Sequence, residues 1–477
     1  MKRKTIQSLV WSATDNFGVQ LLQFIITVVM ARQLFPEQYG LIAMLVIFMD
    51  IAQSFVDSGF GSALIQKQDA TQLHYSSVFY FNILMGLLTA GLLCLLSPFI
   101  ARFYDQPVLV GLTCFMSLNL MMSSWSSVQT NLMVKKLNFK NLTKANFLAT
   151  VLSGIIGIYL TFHGFGVWSL AVQSVFATFI RTVSLWFFSR WRPARIFSLV
   201  VLQELFGYGS RLLAAGLLDV IFGNLYHLVI GKIFSARDLG FYTQANRIKQ
   251  MPTGSITAIV GKVTFPVFAM MQAEPARCKS AMKKVVTFLG LVNFPLMIGL
   301  AACAEPIVIV LFTEKWAPAI PYLQLLCIVG LLYPLQVVNL NLLKATGRTD
   351  LFFRLEVIKK IITVINIAVC YRWGILGLIY GQIVGAFISY WLNSYYTGDL
   401  VGYDMSEQVK DSLPYFLVAV AMGAIVVVIP RFTSLEYFPL LLLQVASGML
   451  IYIGLCRCFK LKAFMEAEIS LKGFKQA

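Results

Sequence analysis

Fourteen stretches of this chain are apolar and long enough to cross ~30 Å of hydrocarbon at about 1.5 Å per residue. A chain in lipid must satisfy its own backbone hydrogen bonds, so each stretch of that length is expected to be a helix. The windows run roughly Ser8 to Ala31, Leu41 to Ile65, Tyr75 to Leu96, Val108 to Thr130, Asn146 to Phe162, Val167 to Phe188 and Leu205 to Ile230. They continue with Phe241 to Phe268, Val285 to Cys303, Tyr322 to Leu343, Val357 to Tyr371, Ile375 to Tyr395, Leu413 to Ile429 and Phe438 to Cys456. Composition agrees: 12% of the residues are charged, where a soluble chain carries about a quarter. Lys2, Arg3 and Lys4 ahead of the first window imitate a secretory leader. That window holds Asp15, Asn16, Gln20 and Gln23 and no small-residue cleavage site follows, so it is expected to be a retained helix.

The first twelve windows repeat. Laid over its own second half, the chain places Val29, Arg32, Gly40 and Gly61 on Val229, Lys232, Gly240 and Gly261, and Gly166-Val167-Trp168-Ser169-Leu170 resembles Gly374-Ile375-Leu376-Gly377-Leu378. Six spans separate the copies, so both begin on the same side and the repeat is a parallel one about an axis along the membrane normal, as in transporters. The expected architecture is an all-α polytopic membrane protein of two six-helix lobes, 1–198 and 199–400, with a further helix pair and tail at 401–477. Most of the 38 Lys and Arg fall in alternate loops, in clusters such as Lys135, Lys136, Lys140 and Lys144 or Arg277, Lys279, Lys283 and Lys284. Positive charge collects on the cytoplasmic side, so both termini are expected there. The same topology accounts for the net charge of +17 without nucleic acid.

Ionisable groups at bilayer depth are costly and mark cavities or pathways. Helix one carries Asn16, Gln20, Gln23 and Thr27 at helical spacing beside Asp15, and helix two carries Asp50, Ser54 and Asp57. Their repeat mates carry Arg211 and Asp219, then Gln244, Arg247, Lys249 and Lys262. Counting about 1.5 Å per residue from Gly240, Arg247 lies roughly 10 Å inside the membrane and Lys249 deeper. With Arg181 and Arg211 these cations form a ladder of positive charge. Pro252, Pro266, Pro295 and Pro334 are expected to interrupt helices. Eight scattered cysteines and three separated histidines, His74, His163 and His227, offer no metal-ligand spacing beyond a lone Cys456-x-Cys458.

In order along the chain, Asp57-Ser58-Gly59-Phe60-Gly61, Gly164-Phe165-Gly166-Val167-Trp168, Leu239-Gly240-Phe241-Tyr242, Phe265-Pro266, and Glu314-Lys315-Trp316 with Pro318, Pro321, Leu323 and Gln324 form a pattern. With the fourteen-span frame, it resembles the Wzx-type polysaccharide transporters of the multidrug/oligosaccharidyl-lipid/polysaccharide exporter superfamily. The resemblance implies a bacterial inner-membrane protein, not an enzyme and without a cofactor, that flips undecaprenyl-pyrophosphate-linked oligosaccharide to the periplasmic leaflet. Other polysaccharide assembly proteins would act afterwards. It also implies a terminal helix pair that holds the lipid tail, matched here in position only.

On that basis Arg211, Arg247 and Lys249 are expected to bind the pyrophosphate, with Arg181, Lys262, Gln244 and Gln20 lining the cavity. No GxxxxGK[ST] loop is present to bind ATP. Asp15, Asp50, Asp57 and Asp219 are therefore the expected carriers of coupling to a proton or sodium gradient. Two alternatives remain at this stage: an ion-coupled exporter of drugs or organic cations, and a membrane-bound glycan polymerase or ligase. The outward loops carry only single, dispersed carboxylates, which disfavours the enzyme.

Overall fold

The computed structural model describes residues 18–476, and the helical windows appear as helices. They are α1 (Gln20–Gln33), α2 (Pro36–Asp57), α3 (Phe60–Gln66), α4 (Gln72–Tyr104), α5 (Leu109–Met116), α6 (Leu118–Lys135), α7 (Phe139–Phe162), α8 (Val167–Phe188), α9 (Leu199–Gly223) and α10 (Leu225–Ile233). There follow α11 (Ala236–Met270), α12 (Pro275–Ala302), α13 (Ala304–Phe312), α14 (Ala319–Ala345), α15 (Thr349–Cys370), α16 (Gly374–Val401), α17 (Met405–Val428), α18 (Tyr437–Cys458) and α19 (Lys462–Gln476).

Among the described residues 12 helical runs are long and apolar enough to cross a membrane, two fewer than the fourteen windows read from sequence. The first window begins at Ser8, outside the described residues, and its described part, α1, is 14 residues long. The eleventh and twelfth windows are α15 and α16, joined only by the tight turn Tyr371–Trp373, and count as one run of 53 residues. A second correction concerns the prolines. Pro252, Pro266, Pro295 and Pro334 lie inside unbroken helices rather than at breaks. Around Pro252 the hydroxyls of Thr253, Ser255 and Thr257 return to the carbonyls of Lys249, Met251 and Thr253 at 2.7, 2.9 and 2.7 Å, so these side chains are themselves satisfied within the helix.

The chain divides into two compact units, Met1–Thr243 and Gln244–Ala477, with the division falling within the sequence of α11. In the first unit α7 packs along α8, and α4 and α8 along α6, with α1 against α7. Small residues permit the close approach: a Cβ on Gly154 would lie 2.8 Å from Cγ1 of Ile26, and one on Gly86 2.7 Å from Oγ of Ser124. Helix α9 belongs to this unit, seated on α2 and α3. At one end of that contact Lys67 pairs with Glu204, whose carboxylate holds the Lys67 ammonium above its usual pKa.

The glycines matched in sequence, Gly40 and Gly240, lie near the starts of α2 and α11. Each preceding helix closes the same way, the Leu34 amide on the Met30 carbonyl at 2.9 Å and the Phe234 amide on the Ile230 carbonyl at 3.0 Å. The two new helices then cross at Gly40 and Gly240. A Cβ on Gly40 would overlap the Ala236 carbonyl oxygen, and one on Gly240 would overlap the Pro36 carbonyl oxygen. Matching turns recur further on, where Gly166 and Gly374 open α8 and α16 with φ of 57° and 75°, a region open to glycine at no steric cost.

In the second unit α12 packs on α17, and α14 on α16. The final pair, read from sequence as an appendage, shares its core: Met282, Val286 and Leu289 of α12 contact one cluster with Val418, Met422 and Tyr452. The Tyr452 hydroxyl donates to the Leu291 carbonyl at 2.9 Å. Below this cluster Gln408 is fully buried. Its Nε2 donates to Asn339 Oδ1 at 3.0 Å and to the Tyr403 carbonyl at 3.1 Å, while its Oε1 accepts from Tyr390 Oη at 3.1 Å and Asn339 Nδ2 at 3.2 Å. Thr397 closes the network by donating to Asn339 Oδ1 at 2.7 Å. One amide thus ties α17 to α14 and α16.

Candidate functional site

Two cavities stand out, one in each unit. In the first unit a polar cavity of about 570 Å³ opens among α2, α6 and α8, lined by Gln53, Asp57, Asn119, Ser123, Asn131 and Arg181 among others. Helix α6 supplies one wall through Asn119, Ser123, Ser127 and Asn131, four residues apart and so on one face. Their order comes from local bonds. Ser123 donates to Gln53 Oε1 at 2.8 Å, and Gln53 Nε2 donates to Asp57 Oδ1 at 3.1 Å. Arg181 Nε donates to Asn146 Oδ1 at 3.0 Å. Asn119 donates to Ser174 at 3.3 Å, but its buried Oδ1 has no partner.

The cavity in the second unit has the opposite character. It measures about 450 Å³ and is walled by Leu291, Pro295, Leu296, Met422, Met449 and Ile453 among others, from α12, α17 and α18. Gln444 brings an amide to this wall. Its Nε2 donates to the Val426 carbonyl at 3.0 Å and its Oε1 is left without a partner.

Of the residues singled out from sequence, Asp57 and Arg181 share the polar cavity. Asp50 stands apart from it, accepting from Asn224 Nδ2 at 3.1 Å, where Asn224 separates α9 from α10. Arg211 and Asp219 lie exposed on α9, and Gln20 is exposed on α1. Asp15 lies outside the described residues.

In the second unit Arg247 and Lys262 are exposed on α11, while Gln244 is buried with its Nε2 unpartnered. Lys249 is half-buried with its stem turned to α14, where a Cβ on Gly330 would lie 3.4 Å from its Cδ. Two positions apart on an unbroken helix, Arg247 and Lys249 diverge by about 200°. The structure therefore does not bring this pair onto one face. Sequence reading passed over Asn119, Ser123, Ser127 and Asn131 altogether. Their signal was present as four short polar residues at a spacing of four inside an apolar run.

A family model described as "Polysaccharide biosynthesis protein" matches residues 29–321. The chain belongs to that family. This family member is 30% identical over 88% of its length, and 87% of the relative's, to the teichuronic acid biosynthesis protein TuaB of Bacillus subtilis (strain 168). It is 28% identical to the lipopolysaccharide biosynthesis protein WzxC of Escherichia coli (strain K12), covering 82% of this chain and 81% of that one. It is 29% identical to the succinoglycan biosynthesis transport protein ExoT of Rhizobium meliloti (strain 1021), covering 92% and 89%. Among solved structures the lipid II flippase MurJ in an inward closed conformation superposes with a TM-score of 0.79 at 14% identity, over 94% of this chain and 98% of that one. An inward-facing multidrug resistance transporter of the MATE family superposes with a TM-score of 0.63 at 16% identity, over 81% and 98%. This family member is thus a multi-pass membrane protein of a polysaccharide biosynthesis family of transporters, not of enzymes, with the fold of those exporters.

Proposed function

We propose that this family member is a flippase that moves undecaprenyl-pyrophosphate-linked oligosaccharide from the cytoplasmic to the periplasmic leaflet of a bacterial inner membrane by alternating access. Its helices then cross the bilayer fourteen times as two repeated six-helix lobes and a terminal pair, with both termini in the cytoplasm. The observation that carries the reading is that one unit holds a polar cavity and the other an apolar one. Such a cargo has those two chemistries, a hydroxylated head and a hydrocarbon tail, and the apolar cavity of α12, α17 and α18 suits the tail. Arg247 supplies the cation for the pyrophosphate, since a guanidinium forks onto phosphate oxygens and replaces lost hydration. Lys249, turned toward Gly330, sets the field behind it. Asp50 and Asp57 remain the carboxylates suited to coupling a proton or sodium gradient, which drives transport by binding the two orientations unequally. Polymerising and exporting proteins would take over the product.

The test is to delete the gene and treat intact cells with an impermeant glycan-modifying reagent. Protected, inward-facing lipid-linked oligosaccharide should accumulate and clear on re-expression, and normal outward exposure in a strain without a second transporter would refute the reading. Arg247→Gln at unchanged expression should slow flipping roughly 10- to 100-fold, the worth of one charge-assisted hydrogen bond. Undiminished flipping by that variant would remove Arg247 from the site.

A further inference from the structure

We infer that the polar cavity of the first unit is a sugar-binding subsite, which holds the hydroxylated rings of the lipid-linked glycan next to its pyrophosphate rather than the pyrophosphate itself. The inference rests on the flippase reading and divides the cargo between residues that sequence had assigned together.

The cavity's size, about 570 Å³, lies within the range of small-molecule sites. Its chemistry then selects the ligand. A pyrophosphate concentrates negative charge and calls for several cations, but Arg181 is accompanied by the carboxylate of Asp57, which nearly cancels it. The Arg181 guanidinium is also already donating to Asn146. A metal ion calls for a shell of oxygens with more than one carboxylate, and among the described residues no group of three His, Cys, Asp or Glu comes together.

Sugar hydroxyls each donate one hydrogen bond and accept others. Asn, Gln, Ser and Thr side chains are the groups that do both in return. Here they line the wall of α6 and the facing Gln53 and Thr178. The orphaned Oδ1 of Asn119 is an acceptor waiting for such a donor. A site built to hydrogen-bond hydroxyls discriminates strongly, because a cargo lacking them leaves the site's polar groups unpaired.

Gly61 preserves the arrangement. A Cβ there would stand 2.5 Å from Nδ2 and 3.1 Å from Cγ of Asn131, so the methyl of an alanine would push that amide aside. The obstacle is the end of a flexible side chain, so Gly61→Ala should alter the cavity wall while leaving the fold intact.

The experiment uses the full-length protein in nanodiscs with two probes: lipid-linked oligosaccharide extracted from cells deleted for the gene, and undecaprenyl pyrophosphate carrying no sugar. The wild type should bind the glycosylated lipid at least about tenfold more tightly than the bare one. Asn119→Ala combined with Asn131→Ala should lose about tenfold or more in affinity for the glycosylated lipid, approaching its unchanged affinity for the bare lipid. Gly61→Ala should shift the preference in the same direction, and serves alone if the double variant does not fold.

A full preference retained by Gly61→Ala and the double variant overturns the subsite. So does an equal loss of both lipids, which would make this the pyrophosphate site. Equal binding of both probes by the wild type would overturn the sugar subsite and leave the flippase reading standing, whereas binding of neither would end both.

Discussion

Alanine at Gly40 is expected to destabilise this protein by about 3 kcal/mol, near the upper end of what overpacking costs. The reason is the identity of the neighbour. The added methyl would meet the backbone carbonyl of Ala236 and not a side chain that can change rotamer. Only separation of α2 from α11 relieves the clash. Gly240→Ala should behave alike, because it would meet the carbonyl of Pro36 across the same crossing.

The double variant should cost less than the two single costs together. The first methyl already parts the helices, and residues sharing one contact are not additive. Thermal unfolding of the purified variants measures this. A melting profile equal to wild type for Gly40→Ala would show that the crossing is loose. Under the transport cycle proposed above, the same separation biases the equilibrium between orientations, and a shift of that size moves populations by about two orders of magnitude. Flipping by Gly40→Ala should fall accordingly.

Gln408→Ala is expected to cost about 3–5 kcal/mol, since each buried polar group left unpaired costs ~1–3 kcal/mol. Removal of the amide strips Tyr390 of its acceptor and the Tyr403 carbonyl of the side-chain donor it has there, and leaves Asn339 with fewer partners. All of these lie away from water, with Asn339, Thr397 and Gln408 each 0% exposed. Thr397→Val, which removes one donor from the same network, should cost less on its own. Combined with Gln408→Ala it should be strongly non-additive, because Asn339 serves both. Unfolding in detergent with yield as a second readout decides the matter. Wild-type stability in Gln408→Ala would mean that α17 is held by the apolar cluster alone.

This network bears on how the last helix pair joins the rest. From sequence a boundary at 401 set the final helix pair apart from the two six-helix lobes. In the structure α16 runs to Val401 and α17 begins at Met405, capped by Asp404, whose carboxylate accepts from the Glu407 amide at 3.0 Å. That bond, together with the Ser406 hydroxyl, holds the Asp404 carboxyl below its usual pKa. The buried polar residues that fasten the pair, Asn339, Thr397 and Gln408, come from three helices, and nothing in their spacing along the chain marks them as neighbours.

What the sequence determined by itself is whatever depends on a single segment and its solvent. Lipid obliges a long apolar run to become a helix, so the spans were legible from hydropathy and length. The family was legible because short motifs keep their order, and the match of Gly40 to Gly240 could be read along the chain. Tertiary structure decided everything that depends on which faces meet. Gly40 and Gly240 could be matched in the chain, but only the crossing shows that each is glycine because the other helix's carbonyl stands where a Cβ would be.

The ladder of deep cations was a count of depth without azimuth, and packing turned Lys249 toward Gly330 while leaving Arg247 exposed. The prolines of α11 were read as breaks because their lost backbone bonds are local, whereas in the structure both lie inside one continuous helix. The polar wall of Asn119, Ser123, Ser127 and Asn131 was written at helical spacing. It acquired meaning only when α2 and α8 closed a cavity around it, since burial and not residue type makes a hydrogen-bonding group costly to leave empty.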